Sequence, residues 1–258
     1  MEKNGARRVL ILPVADQEGA STRYRVLAHL PALEAAGFAT EVRFPLTRFR
    51  RGASYRLLRA LDLTRDICRS GGADILFIHR KTYPPPLALG LRRPHRAVVF
   101  DLDDALDLPP PGKDPGERGR RRYRRNFIAT LEAADLALCA NRALASRLPH
   151  DRFEILPTPI DTTRFAPEAV GEATGPVLGW VGYSDNLGYL ESLTPHLLEV
   201  RRRHPGLRLV VVADRPPRMP GIEVEFRQWS LASEISCFRG ICIGLMPLDD
   251  TPWARAKS

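Results

Sequence analysis

The stretch "RVLILPVADQEGASTRYRVLAHLPALEAAGF", Arg8 to Phe38, decides the fold. Its opening run of branched and leucine side chains, 8–14, reads as a buried strand, and a polar turn containing Gly19 follows. The period then changes. Val26, Leu27, Leu30 and Leu33 share one helical face, with Ser21 or Thr22 as the expected cap, Pro31 as an expected bend and Gly37 as the stop. Strand, turn and helix make the first half of a βαβ unit, whose next strand is expected parallel to the first.

The same alternation continues through "TEVRF" (40–44), "ADILFIH" (73–79), "RAVVFDL" (96–102), "ADLALCA" (134–140) and "FEILPT" (153–158). It lapses in the Pro-, Gly- and Glu-rich "TTRFAPEAVGEATGP" of 162–176 and restarts. Strands are expected at 176–182, 207–213, 222–226 and 241–248, with helices across 186–203 and near 231–239. The fold class is therefore α/β: two Rossmann-like, doubly wound domains at 1–165 and 176–258, joined by a linker at 166–175. With four strands where such a domain commonly has about six, the second is expected to be incomplete.

Composition narrows the classes. The 258 residues are 44% apolar and 27% charged, as in ordinary globular proteins. No apolar run approaches the roughly 18 residues needed to span a bilayer. "MEKNGARRVLILPV" lacks a small-residue cleavage site, so no signal peptide is expected and the predicted location is cytoplasmic. Cys68, Cys139, Cys237 and Cys242 lack C-x-x-C spacing, which argues against zinc. Of the 39 basic residues only four are Lys, and the net charge is +9. Such a field favours phosphorylated ligands and anionic membrane surfaces. Without a zinc-finger spacing or an aromatic RNA-binding signature, no nucleic-acid partner is expected.

Several strings carry candidate chemistry. The turn "DQEGASTRYR" (16–25) holds Gly19, Ser21, Arg23 and Arg25 at the carboxyl end of the first strand, where doubly wound folds bind ligands. It lacks the G-x-G-x-x-G spacing, so a ligand loop and a plain βα turn both stay open. His79 and Arg80 end another strand. In "VVFDLDDALDL", Asp101, Asp103 and Asp104 follow an apolar run, matching the nucleophile motif of Mg²⁺-dependent haloacid-dehalogenase-type phosphatases. Ala105 stands where those enzymes keep Thr, and no Lys lies between 114 and 256 for the phosphate. "RGRRRYRRNF" (118–127) is either a solvated face or a peripheral contact with a membrane surface or acceptor phosphate.

Taken in order, "STRYRVLAHLPALEAAGF", "ADILFIHRK", "FDLDDAL", "ADLALCANRALASRL", "EILPTPIDTTRFAP" with Asp161 and Phe165, and "VLGWVGYSDNLGYLESL" resemble the group-1 glycosyltransferases of glycosyltransferase family 4. "VEFRQWSLASEISCFRGICIGLMPLDDTPWARAKS" resembles the segment entering that family's donor site. The resemblance implies a GT-B fold and retaining hexosyl transfer from a nucleotide-diphosphate sugar to a glycan, lipid-linked or small-molecule acceptor, in polysaccharide biosynthesis. It implies no cofactor and no metal, the nucleotide sugar being a co-substrate. His79 becomes the catalytic candidate. Gly182, Ser184, Arg255 and Lys257 become the donor-diphosphate set, and Gly19, Ser21 and Arg23 the acceptor-side loop.

This chain departs from the pattern in places. Thr158-Pro159 replaces Asn-Gly, Asn141 replaces Ser, and Tyr183-Ser184-Asp185-Asn186 replaces the Arg- and Lys-bearing turn that holds the leaving diphosphate. Ala256 replaces the Gly of "W-x-x-G-K", and the sequence stops at Ser258, so a C-terminal truncation inside the donor site is expected. The alternatives are the phosphatase and a non-enzymatic truncated binding protein.

Overall fold

The computed structural model describes residues 6–46, 53–166 and 175–257, and within them the chain forms two compact units. The expected linker at 166–175 lies almost wholly outside the described residues. The first unit runs to Ile160 and takes in the segment from Thr251 onward; the second is Asp161–Asp250. The sequence reading placed 251–258 in the second domain. Instead Ala254 and Ala256 are buried in the first unit, Trp253 packs on its core, and Asn141 Nδ2 donates to the carbonyls of Ala256 and Lys257 at 3.2 and 3.3 Å.

The first unit is a six-stranded parallel sheet of β1 (Arg8–Leu12), β2 (Ala39–Val42), β3 (Ile75–His79), β4 (Ala97–Leu102), β5 (Leu136–Cys139) and β6 (Phe153–Ile155), in the order β2-β1-β3-β4-β5-β6. Both faces are covered, as an all-parallel sheet requires. Leu10 and Leu12 enter one core with Leu76, Ile78 and Phe100, while Val9 and Ile11 pack with Val26 on the other side.

The helix predicted after β1 is broken. It forms α1 (Ala20–Arg25), a 3-10 turn at Leu27–His29 and α2 (Leu30–Ala35), with the disruption at Val26 and Pro31 in the first turn of α2. Neither expected residue caps it: Gly19 occupies the cap position, and Thr22 Oγ1 instead donates to the Ala15 carbonyl at 3.2 Å. The unit continues with α3 (Ala53–Cys68), α4 (Pro85–Ala88), α5 (Gly116–Ala133) and α6 (Arg142–Ala145).

The second unit carries β7 (Val177–Val181), β8 (Arg208–Ala213), β9 (Val224–Gln228) and β10 (Ile243–Gly244), all parallel, in the order β10-β7-β8-β9. Its long predicted helix is split into a 3-10 turn at Ser184–Asn186, α7 (Leu187–Glu191) and α8 (Thr194–Arg203), with Pro195 in the first turn of α8. The helix expected near 231–239 is reduced to a 3-10 turn at Ser236–Phe238, and the strand expected over 241–248 to two residues. Pro247 has no N–H to continue that ladder. The last described helix is α9 (Pro252–Arg255) in the first unit.

A buried ionic network fastens α3 to the segment after β3. Lys81 Nζ lies 2.9 Å from Asp62 and 2.7 Å from Asp66, Tyr83 donates to Asp66 at 2.9 Å, and Arg65 bridges Asp62 to the Phe44 carbonyl. Burial pushes the Asp66 carboxyl above its ordinary range, with Lys81 pulling the other way. Removing one partner strands charge in a medium that cannot solvate it. Lys81→Met is therefore expected to cost about 3–5 kcal/mol in urea unfolding; a loss within about 1 kcal/mol, the value of an exposed pair, would show the network to be solvated.

Candidate functional site

In a doubly wound sheet, ligands bind at the carboxyl ends of the strands where the strand order reverses. In the first unit that point lies between β1 and β3. The turn after β1 and the residues ending β3 meet there. The turn closes tightly: the Gly19 amide donates to the Asp16 carbonyl, and a Cβ on Gly19 would sit 2.6 Å from Ala15 Cβ. Arg23 is spent on this turn, donating to the Glu18 carbonyl at 2.5 Å and covering the Tyr24 ring. Gly19 and Arg23 thus shape the loop, and Ser21 is the residue it presents to His79.

His79 is fully buried, and its Nδ1 lies 2.7 Å from Asp101 Oδ2. Arg25 donates from Nε to the same oxygen at 2.9 Å and from its terminal nitrogen to Oδ1 at 2.5 Å. Its other terminal nitrogen reaches the Leu156 carbonyl and Thr158 Oγ1 at 2.9 and 3.1 Å. Burial alone would raise the Asp101 carboxyl and lower the Arg25 guanidinium. Their mutual hydrogen bonds, with His79 adding to those on Asp101, outweigh it: Asp101 is held below the usual carboxylate range and Arg25 above its own. An ionised Asp101 only accepts, so His79 carries its proton on Nδ1 and turns Nε2 toward Ser21 Oγ, 3.2 Å away.

Arg80 follows in a left-handed conformation at φ 57°, a costly placement for a non-glycine residue. That backbone lets consecutive side chains serve one site. Arg80 donates to Ser21 Oγ at 2.9 Å, lies 2.9 Å from Asp103 and bonds Asp104. Burial and the neighbouring charge of Asp103 raise the Asp104 carboxyl, against Arg80 and Lys257.

The spacing Ser21–His79–Asp101 is that of a nucleophile, base and acid. However, the hydrogen bond accepted from Arg80 draws density from Ser21 Oγ, which favours a binding hydroxyl over a nucleophile. Asp101 is likewise not a phosphatase nucleophile, because both its oxygens are occupied by Arg25 and His79 in the protein interior. Beside this site the Cys139 thiol is pushed up to about 11, chiefly by burial, and is inert. Among the described residues no group of three or more His, Cys, Asp or Glu is arranged to hold a metal.

In the second unit the strand order reverses between β7 and β10, and Gly182 follows β7 there. A Cβ on Gly182 would lie 2.7 Å from the Trp180 ring, so this close approach requires glycine. The next turn brings Ser184 against Asp214, at the end of β8: both the Ser184 amide and hydroxyl donate to that carboxylate at 2.7 Å. Those bonds hold Asp214 below the usual carboxylate range although partial burial opposes them. As the turn stands, Ser184 has no donor left for a phosphate. Tyr183 and Trp229 flank it, ring centroids 6.2 Å apart.

The structure therefore brings His79, Ser21 and Gly19 together, and Gly182 with Ser184, while Arg255 and Lys257 belong to the first unit. Sequence reasoning missed the roles of Arg25 and Asp214. An acid directly after an apolar strand was the available signal for Asp214; nothing local links Arg25 to a carboxylate 76 positions away.

The chain matches no family model and no curated protein sequence. Solved structures do match. Sucrose-phosphate synthase from Thermosynechococcus elongatus aligns over 92% of this chain and 74% of its own, at 12% identity and TM-score 0.63. The lipopolysaccharide outer core galactosyltransferase WaaB, in its apo form, aligns over 87% and 69%, at 13% and 0.54. An α-glucosyltransferase in complex with UDP and a 13-mer DNA containing an HMU base aligns over 82% and 59%, at 14% and 0.51. Such identities establish the fold: an α/β protein of GT-B type with two Rossmann-like sheets. They also correct one expectation. A protein of this fold was solved with DNA, so the fold gives no ground for excluding a nucleic-acid partner.

Arg25→Met would leave Asp101 ionised and buried, at an expected cost of about 3–5 kcal/mol, whereas Asp101→Asn removes the charge itself. For pH the sign follows from the depressed carboxyl. Its stabilisation is complete above the unfolded pKa of about 3.9 and disappears as pH falls through the lower folded value. The stability gap between wild type and Asp101→Asn should therefore be constant above about pH 5 and shrink below about pH 4. A gap that widens on acidification would contradict the assignment.

Proposed function

We propose that this chain is a glycosyltransferase that moves a hexosyl group, with retention, from a nucleotide-diphosphate sugar to a hydroxyl of a glycan, lipid-linked or small-molecule acceptor. The observation that carries the reading is the buried Asp101–His79–Ser21 chain at the strand-order reversal of the first sheet. The glycine turn at the corresponding reversal in the second sheet supports it. The names of the structural neighbours, one of them solved with UDP, point the same way.

In the proposed step, the bond from the anomeric carbon to the terminal phosphate oxygen breaks and a bond to the acceptor oxygen forms. The acceptor's proton passes to the departing phosphate oxygen. His79 acts through Ser21, whose hydroxyl it positions to orient the reacting sugar, and the acceptor lies over the loop at 19–25. The backbone at Gly182 admits the diphosphate, whose charge must be met by fixed donors and cations. Ser184 serves it only if Asp214 yields, and Arg255 and Lys257 remain the proposed cations. The reading calls for no resident cofactor and sets the reaction in the cytoplasm, in glycan building. Among the described residues no helix is long and apolar enough to cross a membrane.

The test is a screen of radiolabelled UDP-, GDP- and ADP-sugars for nucleotide release and transfer to mixed glycan and lipid-linked acceptors. His79→Ala is expected to lower kcat by about 10²-fold, the order that lost positioning costs, in protein that circular dichroism shows to be folded. Equal turnover in His79→Ala, or no nucleotide-sugar binding by any donor, would refute the proposal.

A further inference from the structure

The arginines of α5 play no part in the proposed reaction. Between 118 and 125 the helix carries six Arg and no acid, and all six are exposed. Its opposite face is fixed: Phe127, Thr130, Leu131 and Ala133 are buried, and Phe127 and Leu131 enter the core of the first unit. At 100° per residue, Arg118, Arg121, Arg122 and Arg125 fall on one outward stripe about 10 Å long. These four residues, with Pro115 and Gly119, line a shallow groove. Arg121 pairs with Glu117 and Arg120 with Asp114. Among the described residues Arg118, Arg122, Arg124 and Arg125 make no ion pair. Like charges three and four positions apart repel along a helix, and here no acid on the stripe offsets the repulsion at Arg118, Arg122 and Arg125.

We infer that this face docks the protein on an anionic phospholipid bilayer. Every lining residue comes from α5 or the residue before it, so there is no second wall to enclose a flexible polymer; the geometry suits a planar array of charges. No large apolar side chain of α5 is exposed, so the helix rests on the headgroups and its attachment is electrostatic. Guanidinium groups suit phosphate because they bind it in bidentate fashion. Arginines also neutralise nucleic-acid phosphates, so duplex DNA is the competing occupant that the experiment must exclude.

The experiment is sedimentation of the full chain with phosphatidylcholine vesicles, alone or with about 30 mol% phosphatidylglycerol. Binding is expected only to the anionic vesicles at about 0.1 M salt, and it should be lost near 0.5 M. Replacing Arg118, Arg122 and Arg125 by Gln should weaken it about a hundredfold, since each arginine near such a surface adds about fivefold. The control is R201Q/R202Q/R203Q in α8, which removes the same charge where each arginine is paired with Glu199 or Glu223. It should bind like wild type. Circular dichroism verifies that both variants fold, and exposed Arg→Gln changes keep helix propensity. Absent binding to anionic vesicles, equal loss in both variants, or full binding by the α5 variant would overturn the inference. So would duplex DNA binding that is at least as tight and lost through the same three arginines.

Discussion

The carboxylate of Asp101 is the point on which the first unit's site depends. It ends β4, receives two hydrogen bonds from Arg25 of α1, and accepts one from His79 of β3. Through Arg25 it also holds the loop after β6, at Leu156 and Thr158. Four parts of the chain that are distant in sequence are thereby locked by one buried charge. A charge so placed depends on each of its partners, and removing any one costs stability. Its product is a histidine with a fixed ring orientation and one nitrogen facing the loop after β1.

The second unit builds its ligand side differently. The residues after β7 are placed by backbone closeness, with Gly182 under the Trp180 ring, and the nearest carboxylate, Asp214, engages the amide and hydroxyl of Ser184. An anion already sits on the donors that a diphosphate would use. Under the proposed function, a phosphate at this turn would have to compete with Asp214 for the Ser184 amide and hydroxyl. The likeness to sucrose-phosphate synthase and to WaaB concerns how the two sheets are wound; it leaves donor and acceptor choice to such local contacts.

Much of the winding was legible because buried parallel strands such as β1, β3, β4, β7 and β8 are continuous apolar runs, and the ten expected strands lie near their observed positions. The misreadings have local causes. Helical periodicity across 21–38 and 186–203 persisted through the breaks at Val26 and at 192–193, after which Pro31 and Pro195 sit in the first turns of new helices. "ICIGLMPL" has strand composition, but it lies at a sheet edge, where Ile243, Met246 and Leu248 are exposed and Pro247 cannot donate. For the site, His79 was visible at the end of β3, and its role, like that of Ser21 in the loop after β1, came from the family resemblance. Arg25 and the ion network of Asp62, Asp66 and Lys81 were not, because pairing across tens of residues leaves no periodic trace. The segment from Thr251 onward was misplaced for a related reason: its buried alanines carry no sign of which core they enter.

Asp101 fixes the proton of His79 on Nδ1, which aims Nε2 at Ser21. Two-bond ¹⁵N–¹H correlation of the imidazole reads this directly, with His79→Gln identifying the signal. The expected spectrum shows a protonated Nδ1, and Asp101→Asn should remove that preference. An unprotonated Nδ1 with the proton on Nε2 in the wild-type protein would contradict the account.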